Sequence, residues 1–311
     1  MSVVEILAFG EPLAEFNQTR PDSADWRLGY GGDTSNFCVA AARQGASTGY
    51  ISAVGDDRFG KGLRDLWQAE GVDHAHVRTD QQAPTGVYFV SHDASGHHFD
   101  YLRAGSAASR YQVAQLPSQA IAAARVLHLS GVSLAISQSA CDASLAAMAE
   151  ARAAGVMVSF DTNLRLRLWP LSRARAITRE ALHGCDLCLP SWDDITVLLD
   201  CDERDAIVDT LLGWGVKLIA LKMGARGCYV ATPAQRTLVP PHAVAAIDAT
   251  GAGDCFGGAF VARVVAGDDA VAAARYANVA AALSTTGYGA VASIPRAEAV
   301  YGALSEYAST A

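Results

Sequence analysis

The chain has 311 residues, 51% of them hydrophobic and 18% charged, with a formal net charge of −8 and a sequence pI near 5.4. That length and apolar content support a sizeable core in one large α/β domain or two smaller ones, and they exclude a disordered chain. The acidic balance excludes a broad nucleic-acid surface, which needs a basic stripe, although local arginines are still able to bind a small anion. No stretch has the uninterrupted apolar length of a membrane span. Glu5 and Glu11 break the N-terminal segment where a signal peptide needs a basic start and an apolar run, so the cytoplasm is the expected address. Seven cysteines, an odd number scattered from Cys38 to Cys255, do not make a secreted disulfide framework, and reduced thiols are expected.

In chain order, residues 3–9 form a short apolar run that predicts a strand, and 34–44 predicts a helix. Between them, the polar, turn-rich segment 11–30 is able to add strands to a small accessory sheet. The runs 86–92 and 97–103 flank the turn 93–96, Asp-Ala-Ser-Gly, which predicts a hairpin. Further strands are expected at 126–129, 156–160 and 217–221, and helices at 137–154, 172–183, 203–212 and 270–283. The helices are rich in Ala, Leu, Glu and Arg, as helix propensity favours. Alternation of Val, Leu and Ile runs with helices predicts parallel strands joined by crossovers, with ligands gathering at the carboxyl ends of the strands. No repeat, low-complexity tract or long linker interrupts the chain. It is therefore read as a single domain, 1–311, with lid segments at about 11–30 and 86–104. Cys185 and Cys188 form a lone Cys-x-x-Cys. Residues 186–190 read as a short strand that points the two sulfurs to opposite faces, and without a second pair no zinc site is expected.

The run 248–258, Asp-Ala-Thr-Gly-Ala-Gly-Asp-Cys-Phe-Gly-Gly, combines a flexible glycine turn, an acid and a helix start. Gly251, Ala252 and Gly253 leave backbone N–H groups uncovered before the apolar run 259–262, and such a helix N-terminus attracts anions. Asp254 repels a phosphate placed beside it, unless a metal intervenes or the carboxylate is needed as a base on an attacking hydroxyl. The spacing is neither that of a Walker loop nor that of a dinucleotide fingerprint. A tight loop with Asp254 capping the helix remains the alternative. Cys255, beside the acid, is read either as a reactive thiol or as a small buried residue.

A second run, 31–36, Gly-Gly-Asp-Thr-Ser-Asn, precedes a helix and is followed by Gly45 and by 53–60, Ala-Val-Gly-Asp-Asp-Arg-Phe-Gly. Its glycines would let backbone approach a ligand whose hydroxyls Asp33 and Asn36 are able to bind; alone it reads equally as a turn and a helix cap. The order and spacing of this run and 248–256 resemble the paired signatures of the ribokinase-like (PfkB) sugar kinase family, over nearly the whole chain. The runs 10–15, 101–107, 128–133 and 161–169 look like the 2-keto-3-deoxygluconate kinase branch. The resemblance implies a three-layer α/β sandwich with a central, mainly parallel sheet, a β-sheet lid over the sugar and dimers joined through the lids. It implies transfer of the ATP γ-phosphoryl group to a sugar hydroxyl with Mg2+, while a monovalent-cation requirement stays open.

Residue by residue, the resemblance makes Asp254 the base, with the N–H groups of Ala252, Gly253 and Asp254 facing the phosphoryl oxygens; Asp248 organises metal-bound water or the loop itself. Ala249 stands where the family commonly has a hydroxyl residue. On the nucleotide side it points to Ser191, Lys222, Gly224, Gly227 and Asn278, with Asp194 reaching magnesium through water. Asp194 replaces the commoner glutamate. Lys222 and Arg226 read equally as surface charges, and Asn278 as helix surface. On the acceptor side it points to Gly32, Asp33, Asn36, Tyr88, Tyr101, Arg103 and Arg165, the arginines balancing the carboxylate of a sugar acid. Tyr88 and Tyr101 also read as core aromatics of the hairpin, and Arg167, on the same face as Arg165 if the chain is extended, as surface. A fructokinase is the alternative enzyme, and a noncatalytic sugar or nucleotide sensor the alternative of another class.

Overall fold

The computed structural model describes residues 4–18, 20, 23–93 and 96–310. Its strands are β1 (Ile6–Phe9), β2 (Leu13–Gln18), β3 (Trp26–Gly31), β4 (Thr48–Gly55), β5 (Val77–Asp80), β6 (Gly86–Asp93) and β7 (Gly96–Leu102). They continue with β8 (Val126–Ser130), β9 (Met157–Asp161), β10 (Leu187–Cys188), β11 (Leu218–Lys222), β12 (Cys228–Ala231) and β13 (Arg236–Val239). Among the described residues, nine of these strands form one sheet in the order β13-β12-β11-β10-β9-β8-β1-β4-β5. It is parallel from β11 to β5, with β12 and β13 added antiparallel at one edge.

The period of two along each strand sends alternate side chains into two apolar layers. Leu7, Phe9, Leu127, Leu129, Val158 and Phe160 lie in one, against the helices Gln138–Ala153, Leu171–His183 and Arg204–Gly213. Ile6, Ala8, Val126, Leu187 and Ala220 lie in the other, against Asp33–Arg43, Ala252–Ala266 and Ala270–Ser284. This is the expected three-layer sandwich. Burial on both faces explains why these strands read as continuous apolar runs rather than as alternating ones.

The remaining strands make the expected lid, a four-stranded sheet ordered β3-β2-β6-β7. Leu13, Tyr88 and Val90 are buried together on it, and Phe16 packs on Phe89 and on Phe59 of the helix Arg58–Glu70, at 5.3 and 5.8 Å between ring centroids. The hairpin β6–β7 is present, while residues 94 and 95 of its turn lie outside the described residues.

Three expectations need correction. Residues 53–60 are not a glycine loop for a ligand: they are the end of β4 and the start of a helix, where Asp57 accepts from the N–H groups of Phe59 and Gly60 at 3.0 and 2.8 Å. Cys185 and Cys188 are not on opposite faces. Strand β10 begins only at Leu187, so Cys185 belongs to the preceding turn and its buried side chain lies in the same apolar layer as that of Cys188. Nor does the chain stay extended through Arg165 and Arg167: residues 166–168 turn, with the Leu168 N–H on the Arg165 carbonyl at 2.9 Å, which removes the shared face expected of the two arginines.

Candidate active site

The helix Ala252–Ala266 and the helix Asp33–Arg43 touch almost backbone to backbone. A Cβ on Gly257 would stand 3.3 Å from the Phe37 ring, and one on Gly258 would strike the Phe37 carbonyl oxygen and lie 2.7 Å from Ala40 Cβ. This approach lets the buried Asn36 donate from Nδ2 to Asp254 Oδ2 at 2.8 Å. Asp254 sits in the first helical turn and is directed at Asn36, not back at the helix's own amides.

Gly251 opens that helix at φ 76°, a left-handed conformation a side chain resists, and a Cβ there would lie 3.0 Å from the Ala290 carbonyl oxygen. The Ala252 N–H turns to the Ala249 carbonyl at 3.2 Å and the Cys255 N–H to Gly251 at 2.8 Å. Fewer N–H groups are open at this helix start, the expected anion cradle, than the sequence suggests. Ala252 closes the turn, and among the described residues the N–H groups of Gly253 and Asp254 are left without an acceptor. Asp248, buried, accepts from Thr250 N–H at 2.9 Å and Gly289 N–H at 3.1 Å, and so shapes the loop behind the cradle.

Burial, and then the charge of Asp33, pushes the Asp254 carboxyl up to about 8, against the Asn36 amide and Lys222, which pull it down. Its side chain nevertheless keeps partial access to solvent at the mouth of the crevice. A carboxyl poised near neutrality is matched to taking a proton from a hydroxyl. Cys255, one residue on, is fully buried with its thiol pushed up to about 12, so it is a packing residue and not a reactive one.

At the carboxyl ends of β9 and β11, Lys222 Nζ donates to Asp161 Oδ2 at 2.5 Å, and the two side chains are 12% and 7% exposed. Burial opposes the ammonium charge, but Asp161 outweighs burial and raises the Lys222 pKa. Lys222 is thus no free surface charge. Its Nζ lies 3.5 Å from where a Cβ on Gly253 would be, which places it against the cradle. Ser191 bridges to Lys222 through backbone and accepts the Asp194 N–H at 3.1 Å, opening the helix Trp192–Leu199. Arg226 lies 4.9 Å from the Trp192 ring. Gly224 and Gly227 take φ of 57° and 87°, and a Cβ on Gly227 would strike the Val239 carbonyl. Asn278 donates to that carbonyl at 3.3 Å and to that of Pro240 at 2.8 Å, so its amide is spent on the end of β13.

The opposite wall is made by the lid and its roots. Gly32 takes φ 104°, and Asp33 accepts from Thr34 N–H at 2.8 Å and from Asn163 Nδ2 at 2.6 Å. Tyr88 is buried and donates its hydroxyl to Glu15; Tyr101, half exposed, stacks on Tyr88 at 5.9 Å. Arg103 lies 5.4 Å from the Tyr101 ring and is ion-paired with Glu11. Arg165 is exposed, its guanidinium on the Leu164 carbonyl at 2.9 Å, and Arg167 donates to the Phe99 carbonyl of the lid at 2.6 Å. The two arginines expected on the acceptor side are therefore not alike: one is enclosed and already paired, the other faces outward.

Sequence reasoning gave no role to Glu11, Glu15, Asp161 or Asn163. All four lie in the runs 10–15 and 161–169, which drew notice only as resemblances. A signal was present for Asp161, a carboxylate at the end of an apolar strand, where ligands of parallel sheets gather.

With this geometry in hand, known proteins add the decisive comparison: a model described as pfkB family carbohydrate kinase matches residues 5–297. The chain belongs to that family. This pfkB carbohydrate kinase is 35% identical over 296 residues to the 2-dehydro-3-deoxygluconokinase of Thermoproteus tenax, covering 91% of this chain and 88% of the relative. It is 31% identical over 307 residues to fructokinase-2 of Oryza sativa, covering 93% and 90%. Among solved structures, an E. coli protein provisionally named ribokinase II, in complex with ATP and Mg2+, superposes with a TM-score of 0.91 at 26% identity, covering 97% of this chain and 99% of that one. The pfkB kinase thus has a ribokinase-like fold, and among its described residues no helix is long and apolar enough to cross a membrane.

Proposed function

We propose that this sugar kinase transfers the γ-phosphoryl group of ATP to 2-keto-3-deoxygluconate, giving 2-keto-3-deoxy-6-phosphogluconate in the cytoplasm. The observation that carries the acceptor class is Arg103, a guanidinium enclosed between lid and core beside Tyr101, where a carboxylate gains most from a fixed cation. The relative with the matching acceptor is 35% identical to this chain.

Asp254 takes the proton of the attacking hydroxyl, with Asn36 fixing its carboxylate. The open N–H groups of Gly253 and Asp254, at a helix N-terminus with the Lys222 ammonium beside them, offset charge on the transferred phosphoryl oxygens. Those donors fit a nucleotide triphosphate, and the left-handed glycines at 224 and 227 keep the neighbouring wall free of side chains. Ser191 lies on the nucleotide wall, and Asn278 serves it by holding the end of β13 in place. Mg2+, when bound, neutralises phosphate charge; an ion held mainly by phosphates and water needs about one protein carboxylate, and half-buried Asp194 is the residue we assign to it.

A fructokinase is the second reading. It is favoured by the pairing of Arg103 with Glu11 and by the outward Arg165, which leave less free positive charge for an acid. Turnover of purified protein with ATP and Mg2+ on 2-keto-3-deoxygluconate, its galactonate-derived epimer and fructose tests both. The first reading expects the highest kcat/KM on a keto-deoxy acid, and higher efficiency on fructose overturns it. Thermal stabilisation by these ligands without ADP formation would instead mark a sensor.

A further inference from the structure

The crossings between lid and core converge on one carboxylate. The chain leaves β1 for the lid through Glu11, returns from β3 at Gly32, leaves again into β6 at Gly86 and returns from β7 through Arg103. A Cβ on Gly32 would strike the Glu11 carbonyl oxygen, and one on Gly86 would lie 3.1 Å from Glu11 Oε1 and 3.5 Å from Arg103 Cβ. The Glu11 side chain is wholly enclosed, and that of Arg103 is 11% exposed. Ser106 Oγ donates to Glu11 Oε1 at 2.5 Å and Arg103 Nη2 is ion-paired with Glu11 Oε2, while among the described residues the buried Arg103 Nε and Nη2 and Glu11 Oε2 have no hydrogen-bond partner, so the pair is held by charge.

An ion pair removed from water is stable only while both partners stay matched, because either charge left alone is costly. The charge of Arg103 is balanced before any acceptor arrives. A neutral sugar leaves that balance intact, whereas a sugar acid brings a second carboxylate that gains from Arg103 only in competition with Glu11. We propose that Glu11 is a specificity-determining residue of the acceptor site: by holding Arg103 in charge balance, it sets how far an anionic acceptor is favoured over a neutral one. This rests on the reading of Arg103 as the cation of the acceptor pocket. Burial also raises the Glu11 carboxyl above its usual range, with Arg103 working against that, so the group is able to take up a proton when a second carboxylate approaches.

Glu11→Gln keeps the shape and an acceptor for Ser106 while removing the charge. The test measures kcat/KM on 2-keto-3-deoxygluconate and on fructose, and the thermal shift each acceptor produces without ATP. The expected result is a rise of about tenfold in the acid-to-fructose ratio, carried by KM for the acid. The variant's Tm falls, and the acid restores more of it than fructose does. An unchanged ratio, or equal losses on both acceptors, overturns the proposal. If the single variant does not fold, Glu11→Gln with Arg103→Gln removes both charges; its ratio must fall below wild type, and a wild-type ratio overturns the proposal equally. A wild-type enzyme that phosphorylates only fructose defeats the functional reading, while the acid's thermal shift on Glu11→Gln still decides the role of Glu11.

Discussion

The two walls of the crevice hold their acids in opposite ways. On the lid wall, Glu11 is matched by Arg103 and Ser106, and Glu15 accepts the hydroxyl of Tyr88. On the wall we propose for phosphoryl transfer, Asp254 has one neutral amide hydrogen-bonded to it, the Asp33 charge nearby and a Lys222 cation that is itself paired with Asp161, beside two amide donors still open. The matched wall fixes shape. The unmatched one stores electrostatic capacity that only a bound reactant uses, which is where a preorganised site lowers a barrier.

Removing the unmatched acid is the strongest way to break this contrast. Asp254→Asn is expected to fold and to lower kcat by roughly 10²–10⁴-fold in a coupled ADP assay, the range typical of a lost base. In the wild type, kcat/KM should climb with pH and level off above about 8, where Asp254 is ionised. Stability carries the opposite sign. A carboxyl raised in the folded state holds its proton between the unfolded value near 4 and the folded value of about 8, so its contribution is present at low pH and is lost across that window. Asp254→Asn escapes that loss, and its stability relative to wild type in urea titrations should increase from pH 5 to pH 8.

A gentler perturbation sharpens the same contrast. Asn36→Ala removes the amide that pulls Asp254 down, so the pH rise of kcat/KM should move to higher pH and activity at pH 7 should fall about tenfold. A lower kcat with an unmoved profile would mean that Asn36 acts only on packing. On the matched wall, Arg167→Ala cuts one exposed bond to the lid carbonyl of Phe99 and should raise acceptor KM by about two- to threefold with kcat unchanged, measured by steady-state kinetics.

How far the molecule was legible follows the same division. The phosphoryl wall is built from a contiguous run, 248–258, whose glycines, acid and apolar continuation each have a local meaning, so turn, acid and helix were visible together. The strands through the middle of the sheet announced themselves by being apolar on both faces. The lid wall depends on partners far apart in sequence. Nothing near Glu11 says that Arg103 will neutralise it, and nothing near Arg165 says that its guanidinium will settle on its own neighbour's carbonyl. The meeting of Cys185 and Cys188 was missed because it depends on where β10 starts, and strand ends are weakly encoded.

The bond between Asn36 and Asp254 joins residues 218 apart, and this separation has a consequence during synthesis. At about 5–20 residues per second, a ribosome needs roughly 10 to 45 s to deliver the acid after the amide. Throughout that interval the side of Phe37, Ala40 and Ala41 that faces Gly257 and Gly258 is uncovered, although the Phe37 ring gains the His128 ring, 3.6 Å between centroids, as soon as β8 forms. The nascent kinase therefore exposes part of an apolar helix face until the turn at Gly251 emerges, and chaperone binding to stalled chains should end once the segment 252–266 leaves the exit tunnel.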